Sequence, residues 1–583
     1  MALTNPSATS SPGGPVESPA VLDQAVATVR EQRGAFALLP VGEKVALLRA
    51  LVAPFSAVSH GWVEAACRAK QIPFDAPVAG EEWLAGPAAT ARNVRLLTES
   101  LQQIARHGRP PLGRRVRTRP DGIVEVQVLP AGGWDGTLYR GLSCWVRLQP
   151  GIDEAGARHR QASFYQQRQP EGKVALILGA GNVSSIPVMD VLYKMFVEGS
   201  VCVLKMNPVN EWLTPFLEQM LAPLIARGFL RILRGGGDVG EYLCQHPGVD
   251  EIHITGSDKT HDRIVWGPPG PEQDRRKRAG EPLLKKAITS ELGNVSPVAI
   301  VPGRYTDKEL WFQARSLCTM LVNNGSFNCN AAKVLITAPG WPQRDRFLEL
   351  FTKAVAAVPP RAPYYPGARQ RYTDLLGGRQ NVRRFGADQA GHADGDGLPW
   401  AFVPGVDASR ADEPFFQIEP FCGVLAHTEV GAADPVAFLS AVTSFCNDRL
   451  WGTLNGTLII DRKSEADPAI AAALDRSVTA LRYGTVAINL WPGVAYGTVS
   501  PPWGGHPSAT LANIQSGLGW VHNTFMLEGI EKSVIRAPSV LAPKPAWYYD
   551  NAQCRAIGEK VAAHEIHPSP VRVPSLVLSA LRG

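Results

Sequence analysis

Three short stretches hold side chains suited to covalent chemistry. Cys329 lies in "LVNNGSFNCNAAKVLI", between an Asn/Gly/Ser cluster and an apolar run. A thiolate there would be a nucleophile, and Asn323, Asn324, Gly325 and Ser326 would let the backbone approach it closely. Glu291 in "ITSELGNVSP" offers a carboxylate able to take a proton from water, and Asn182 in "GNVSSIP" offers a neutral amide donor for a developing oxyanion. Taken singly, each has a plainer explanation. A lone cysteine before an apolar run usually packs in a core, Glu291 could serve a helix N-terminus or a salt bridge, and Asn182 could be a turn residue. Cys318, on the apolar stripe of "LWFQARSLCTMLV", reads as packing.

Other motifs narrow the chemistry. "GGGDVG" (Gly235 to Gly240) matches a phosphate-loop pattern, and "GAGNVSS" (Gly179 to Ser185) follows an apolar run directly. The acidic residue expected at the end of the next strand of an ordinary Rossmann dehydrogenase is absent, and "VCVLKMNP" places Lys205 there instead. Nine cysteines without a short CxxC spacing suggest neither a metal site nor a disulfide framework, and a reducing compartment fits them best. His564 and His567 in "HEIHP" do not make H-E-x-x-H and read as surface residues. The basic knot "DRRKR" (Asp274 to Arg278) reads as a solvated loop.

The elements that must position these residues follow from periodicity. A chain of 583 residues with 45% hydrophobic content can bury a large core in about two to four domains. A net charge of +6 over that length gives no footprint for nucleic acid. A Ser/Pro/Gly leader covers residues 1–20 and is expected to be disordered, with no basic and apolar signal pattern. No run of about 18 apolar residues suggests a membrane span, so the expected location is the cytoplasm. Residues 21–112 repeat apolar positions at three and four and predict helices. Residues 113–150 alternate around Pro120-Asp121-Gly122, which predicts a hairpin that could serve as an assembly edge. Residues 151–290 alternate short apolar runs with amphipathic stretches, the pattern of a doubly wound parallel sheet whose ligands sit at the carboxyl ends of its strands. A second α/β block covers 291–495 and includes a polar loop, "QNVRRFGADQAGHADGDGLPW"; residues 496–583 form a return segment and a tail rich in Pro and aromatics.

Read in order, the strand ends resemble those of aldehyde dehydrogenases over about residues 40 to 535. The fragments are Asn182 in "GNVSSIP", Lys205 in "VCVLKMNP", Gly256-Ser257 in "HITGS", Glu291 in "ITSELGNVSP", Cys329 in "NNGSFNC", Glu419 and Phe421 in "QIEPFCGV", and Gly484 to Asn489 in "YGTVAIN". The resemblance implies an α/β fold: a Rossmann-type cofactor domain, an α/β catalytic domain and a small β oligomerisation element. It also implies an NAD(P)-dependent oxidation of a small-molecule aldehyde to a carboxylic acid by a cytoplasmic homodimer or homotetramer.

The same resemblance assigns expected roles. Cys329 would form a thiohemiacetal that gives its hydride to nicotinamide and collapses to a thioester, with surroundings that lower the thiol pKa. Asn182, with the Cys329 amide, would hold the oxyanion, and Glu291 would activate water for hydrolysis. Lys205 would reach the adenosine ribose, Gly256 and Ser257 would lie near the pyrophosphate, and Glu419 would hold the nicotinamide ribose with Phe421 against it. The sequence departs from the family at His261, where a glycine is usual, and in "ELGN", in "FCG" and in an extra residue before Cys329. Pro208 replaces a glutamate that often binds the ribose 2'-hydroxyl, which leaves NAD and NADP both open. Two other readings stand beside this one. An acyl-CoA-forming or acyl-CoA-reducing enzyme would keep the thioester, although it would have no need of the Glu291 base. A silent scaffold would bind no nucleotide.

Overall fold

The computed structural model describes residues 17–386 and 397–583. The Ser/Pro/Gly leader up to residue 16 and the middle of the polar loop lie outside the described residues. The first helix begins at Pro19, and the helices Pro19–Ala37, Val41–Ala50, Val52–Ala69 and Ala89–His107 make up the N-terminal part. The last of these carries a strongly segregated apolar face, and Gly108, with φ at +76°, ends it in a left-handed turn.

Among the described residues eighteen strands form two main sheets and one small pair. The predicted hairpin is β1 (Val116–Thr118) and β2 (Val124–Leu129), joined through Gly122 at φ +84°, with β3 (Ser143–Leu148) beside β2. The next five are β4 (Val174–Leu178), β5 (Val201–Lys205), β6 (Leu230–Leu233), β7 (Glu251–Gly256) and β8 (Ala287–Leu292). They make a parallel sheet in the order β6-β5-β4-β7-β8. Strands β4 and β5 are apolar almost throughout because both faces are covered by helices. The chain leaves β4 toward β6 and returns on its other side at β7, so the switch point lies between β4 and β7. The loops carrying Asn182 and Gly256-Ser257 therefore flank the crevice where such sheets bind ligands.

Strands β9 (Pro297–Ile300), β10 (Val334–Thr337), β11 (Arg383–Phe385), β12 (Trp400–Val406), β13 (Val424–Glu429), β14 (Asn455–Ile459) and β15 (Thr485–Ile488) belong to the larger sheet. After the short pair β16 (Pro502–Trp503) and β17 (Val521–His522), β18 (Ile530–Arg536) pairs parallel with β15 and antiparallel with β3. The hairpin strands thus extend this eleven-stranded sheet, whose order is β1-β2-β3-β18-β15-β14-β9-β10-β13-β12-β11.

Two sequence readings need correction. "DRRKR" lies on the helix Pro271–Ala279, not in a loop. Proline starts that helix, Glu272 pairs with Arg275 and Arg276 one turn on, and Gly280 at φ +68° stops it. It buries no residue, so its charged face is solvated. His564 is buried, whereas His567 is exposed. It sits on the helix Cys554–Ile566, which packs across the N-terminal helices, with its ring edge-on to Trp134 at 5.2 Å and its neighbour Glu565 paired with Arg92 and Arg95. The tail's packing partners are about 470 positions away, beyond any local pattern. Among the described residues no helix is long and apolar enough to cross a membrane.

The N-terminal core encloses one unpaired cation. Lys44 is 1% exposed, its Nζ has no hydrogen-bond partner among the described residues, and the rings of Phe36, Phe164 and Tyr165 surround it at 4.6, 4.5 and 5.5 Å. Burial pushes its pKa down from 10.5 to about 7. Between those values the unfolded chain binds more protons than the folded one, so stability rises with pH across that window. Lys44→Met is expected to stabilise the chain at pH 7 by about 1–3 kcal/mol and to flatten the rise in melting temperature above pH 7. A lower melting point with an unchanged slope in differential scanning calorimetry would contradict this.

Candidate active site

The candidate residues come from strand ends and the turns that follow them. Asn182 lies between β4 and the helix Ile186–Phe196, and Lys205 ends β5. Gly256 ends β7, and Ser257 caps the helix Asp258–Trp266 by accepting from the Thr260 amide at 3.2 Å. Glu291 stands near the end of β8. The helix Asp307–Val322 begins with a reciprocal Thr306/Glu309 cap and runs into the tight turn Asn323–Ser326, after which comes Cys329. Within that turn Asn324, Gly325 and Ser326 have φ of +53°, +64° and +69°. Left-handed backbone at two non-glycine positions on either side of a glycine is strain that surrounding bonds must hold.

The Cys329 thiol and the Glu291 carboxylate lie close enough, across the boundary between the two sheets, for each to act on the other's ionisation. Glu291 Oε1 also accepts from Trp503 Nε1 at 3.3 Å. The backbone around the thiol is fixed from both sides. Its own carbonyl accepts from Ser296 Oγ at 3.0 Å and Asn455 Nδ2 at 3.4 Å, and the Asn330 carbonyl accepts from Trp491 Nε1 at 2.8 Å. Asn182 Nδ2 donates to the Phe327 carbonyl at 2.9 Å, two residues before the thiol. Tyr496, 3.1 Å from Ser185 Oγ and edge-on to Trp503, walls the same region.

Electrostatics here run against one sequence expectation. The thiol was expected to have a lowered pKa, but burial pushes it up, and the carboxylates of Glu291 and Glu419 add to the effect while Lys333 only partly opposes it. Burial likewise pushes Glu291 up to about 8, helped by Asp190 and Glu419. In the resting site both groups thus hold their protons more tightly than they would in water.

Glu419 and Phe421 lie on the segment before β13. A Cβ at Gly293 would fall on the Glu419 carboxylate, which explains why glycine follows Leu292. Burial pushes Glu419 up to about 7, with Lys333 pulling the other way, and its Oε1 is buried without a partner among the described residues. Phe421 packs against Tyr365 at 4.9 Å and has Lys333 near its ring. Asn294, the unusual residue of "ELGN", donates to Ser296 Oγ and the Asn455 carbonyl and so braces the strand ends beneath the thiol. Lys205 is buried, and Glu211 and Asp238 act on its charge against the burial that lowers its pKa. Glu211 Oε1 also accepts from the Gly235 amide at 2.9 Å. Gly256 and Ser257 are exposed at the mouth of the crevice. Among the described residues no group of three or more His, Cys, Asp and Glu is placed to hold a metal.

Sequence reasoning missed Lys333, Trp503 and Tyr496. Lys333 could have been noticed four residues after the thiol, whereas the other two belong to no motif.

Comparison with known proteins agrees with this architecture. Residues 147–368 match the family model described as the aldehyde dehydrogenase family. The chain is 27% identical over 214 residues to 4-trimethylaminobutyraldehyde dehydrogenase A of Danio rerio, a stretch covering 35% of this chain and 37% of that protein. The matched region therefore spans little more than a third of that curated relative. The fold is similar over much more. An NAD-dependent aldehyde dehydrogenase from Sinorhizobium meliloti aligns with a TM-score of 0.59 at 16% identity, over 91% of this chain and 89% of its own. An NADP-dependent glyceraldehyde-3-phosphate dehydrogenase from Bacillus halodurans C-125 aligns at 0.57 and 16%, over 90% and 92%. The fold is that of the aldehyde dehydrogenases. Residues 147–368 are thus similar in sequence to that family, and the fold is similar over nearly the whole chain.

The thiol's environment yields a direct test. Alkylation of Cys329 by iodoacetamide, followed by peptide mass spectrometry, should accelerate with pH up to at least pH 9. In Glu291→Gln, which removes a neighbouring negative charge, the inflection should move down by about one unit. An inflection near pH 7 in the wild type, or no movement in the variant, would contradict the geometry.

Proposed function

We propose that the chain oxidises a small-molecule aldehyde to a carboxylic acid with NAD or NADP, through a thiohemiacetal and a thioester on Cys329. The contact between the Cys329 thiol and the Glu291 carboxylate carries this reading. As the sulfur adds to the carbonyl carbon, its proton passes to Glu291, whose raised pKa makes it a better acceptor than an ordinary carboxylate. Asn182 spends one amide hydrogen on the Phe327 carbonyl and has a second for the oxyanion. After oxidation, Glu291 gives up that first proton to solvent and then takes a proton from water as its oxygen attacks the thioester carbon. The C–S bond then breaks, and the acid and the free thiol are released.

Nicotinamide, when bound, accepts the hydride. The chain's own residues fit such a cofactor. The orphaned Glu419 Oε1 suits a ribose hydroxyl, Gly256 and Ser257 lie open at the switch-point crevice, and Lys205 ends the neighbouring strand. Similar folds named as NAD- and NADP-dependent enzymes support both nucleotides, and Glu211 near Lys205 favours the 2'-hydroxyl of NAD. The same reading sets the enzyme in the cytoplasm, where its nine free thiols stay reduced, and takes it as a homodimer or homotetramer.

Absorbance at 340 nm tests this with purified chain, either nucleotide, and aliphatic to aromatic aldehydes, with and without coenzyme A. The expected result is reduction without coenzyme A that is lost by a factor of about 10⁴ or more in Cys329→Ala. Reduction that requires coenzyme A would move the assignment to the acyl-transferring reading. Neither reduction nor nucleotide binding would leave the scaffold reading.

A further inference from the structure

A buried polar cluster drawn from the N-terminal helices lies behind Asn182 and the cysteine turn. Lys70, which follows the helix Val52–Ala69, is 5% exposed. Its Nζ donates to both Glu82 carboxylate oxygens at 2.8 and 3.0 Å, to Asn324 Oδ1 at 2.9 Å and to the Asn182 carbonyl at 3.2 Å. The Tyr364 hydroxyl lies 2.9 Å from the same Asn324 Oδ1 and 3.1 Å from the same Asn182 carbonyl. Glu81 accepts from the Asn324 backbone amide at 3.0 Å and pairs with Arg361.

These bonds set the orientation of one side chain. With Oδ1 held by Lys70 and Tyr364, the Asn324 amide cannot flip without turning its NH2 group onto a buried cation. Its Nδ2 therefore faces the Asn182 carbonyl at 3.0 Å, the Phe327 carbonyl at 3.2 Å and Asn328 Oδ1 at 2.9 Å. The Phe327 carbonyl is the group that Asn182 Nδ2 also grips. One asparagine thus ties the loop of the oxyanion candidate to the peptide just before the thiol, and it does so from a backbone conformation that few residues adopt.

The C-terminal helix sits on this cluster. At Gly80 a Cβ would fall on the Cys554 backbone, and at Gly558 it would lie 2.7 Å from Trp83 Cβ. The helix Cys554–Ile566 therefore lies directly on the turn that carries Glu81 and Glu82.

We infer that Lys70, Glu82 and Asn324 are positioning residues that align the Asn182 amide with Cys329, held in place by the C-terminal helix. This rests on the thiol chemistry proposed above. The cluster touches neither substrate nor nucleotide in that scheme, so it should act on turnover and leave binding alone.

The test compares the full-length wild type with Lys70→Met/Glu82→Gln and with Asn324→Asp. The double variant removes both buried charges together, so neither is left unpaired. Asn324→Asp keeps the ion pair and tolerates the left-handed backbone, but it turns an acceptor toward the Asn182 and Phe327 carbonyls. Both variants are expected to lower kcat by about 10- to 100-fold. KM for the aldehyde and the dissociation constant for NAD, read by quenching of protein fluorescence, should stay within about threefold of wild type. A folded variant whose kcat stays within about twofold of wild type overturns the inference. So does a loss that appears in KM or NAD affinity instead, and so does failure of both variants to fold, which would make the cluster a folding element. A wild type that reduces nucleotide with no aldehyde sinks the proposed function itself, and this inference falls with it.

Discussion

Desolvation of the Cys329 and Glu291 pair is the constraint on which the rest depends. A thiol and a carboxyl taken out of water together each resist ionisation; their contact pushes the thiol up further and offsets part of the rise in Glu291. In water such a thiol would ionise far more readily, with a pKa of about 8.5. Here the nearby acceptor for the sulfur proton is a carboxylate whose own pKa has climbed to about 8, so the proposed nucleophile and its proposed base are tuned against each other.

The architecture serves that pair by bringing two sheets to one point. Glu291 arrives from the end of β8, the outermost strand of the parallel sheet, whereas Cys329 arrives after a helix of the larger sheet's layer. Neither sheet alone holds both groups. Ser296, Asn455 and Trp491 fix the cysteine backbone on the side of the large sheet, and Asn182 and Asn324 fix the preceding turn on the side of the small one. Glu419 reaches the region over Gly293, where any side chain would block it. The long tail adds to this arrangement through β18, which links the hairpin to β15, and through the last buried helix, which lies on the N-terminal turns.

Much of this was legible in the sequence where periodicity or a strand end carried the signal. The apolar runs of β4 and β5 marked a sheet covered on both faces, and Pro120-Asp121-Gly122 marked the hairpin at the edge of the other, larger sheet. What stayed hidden was set by long-range packing. Lys70 carries no signal in its local sequence, yet its carboxylate partner is Glu82 and its amide partner lies 254 positions away. His564 looked like a surface residue because nothing local announced that its helix returns across the molecule. The thiol's raised pKa could not be read either, since it depends on burial and on Glu419, which is distant in the chain.

The most direct measurement is intact-protein and peptide mass spectrometry of Glu291→Gln mixed with an aldehyde and NAD. Without the base, hydrolysis should stall. The account predicts a stable acyl mass on the peptide containing Cys329, which hydroxylamine removes. Acylation of another cysteine, or no covalent species while wild type turns over, would contradict it.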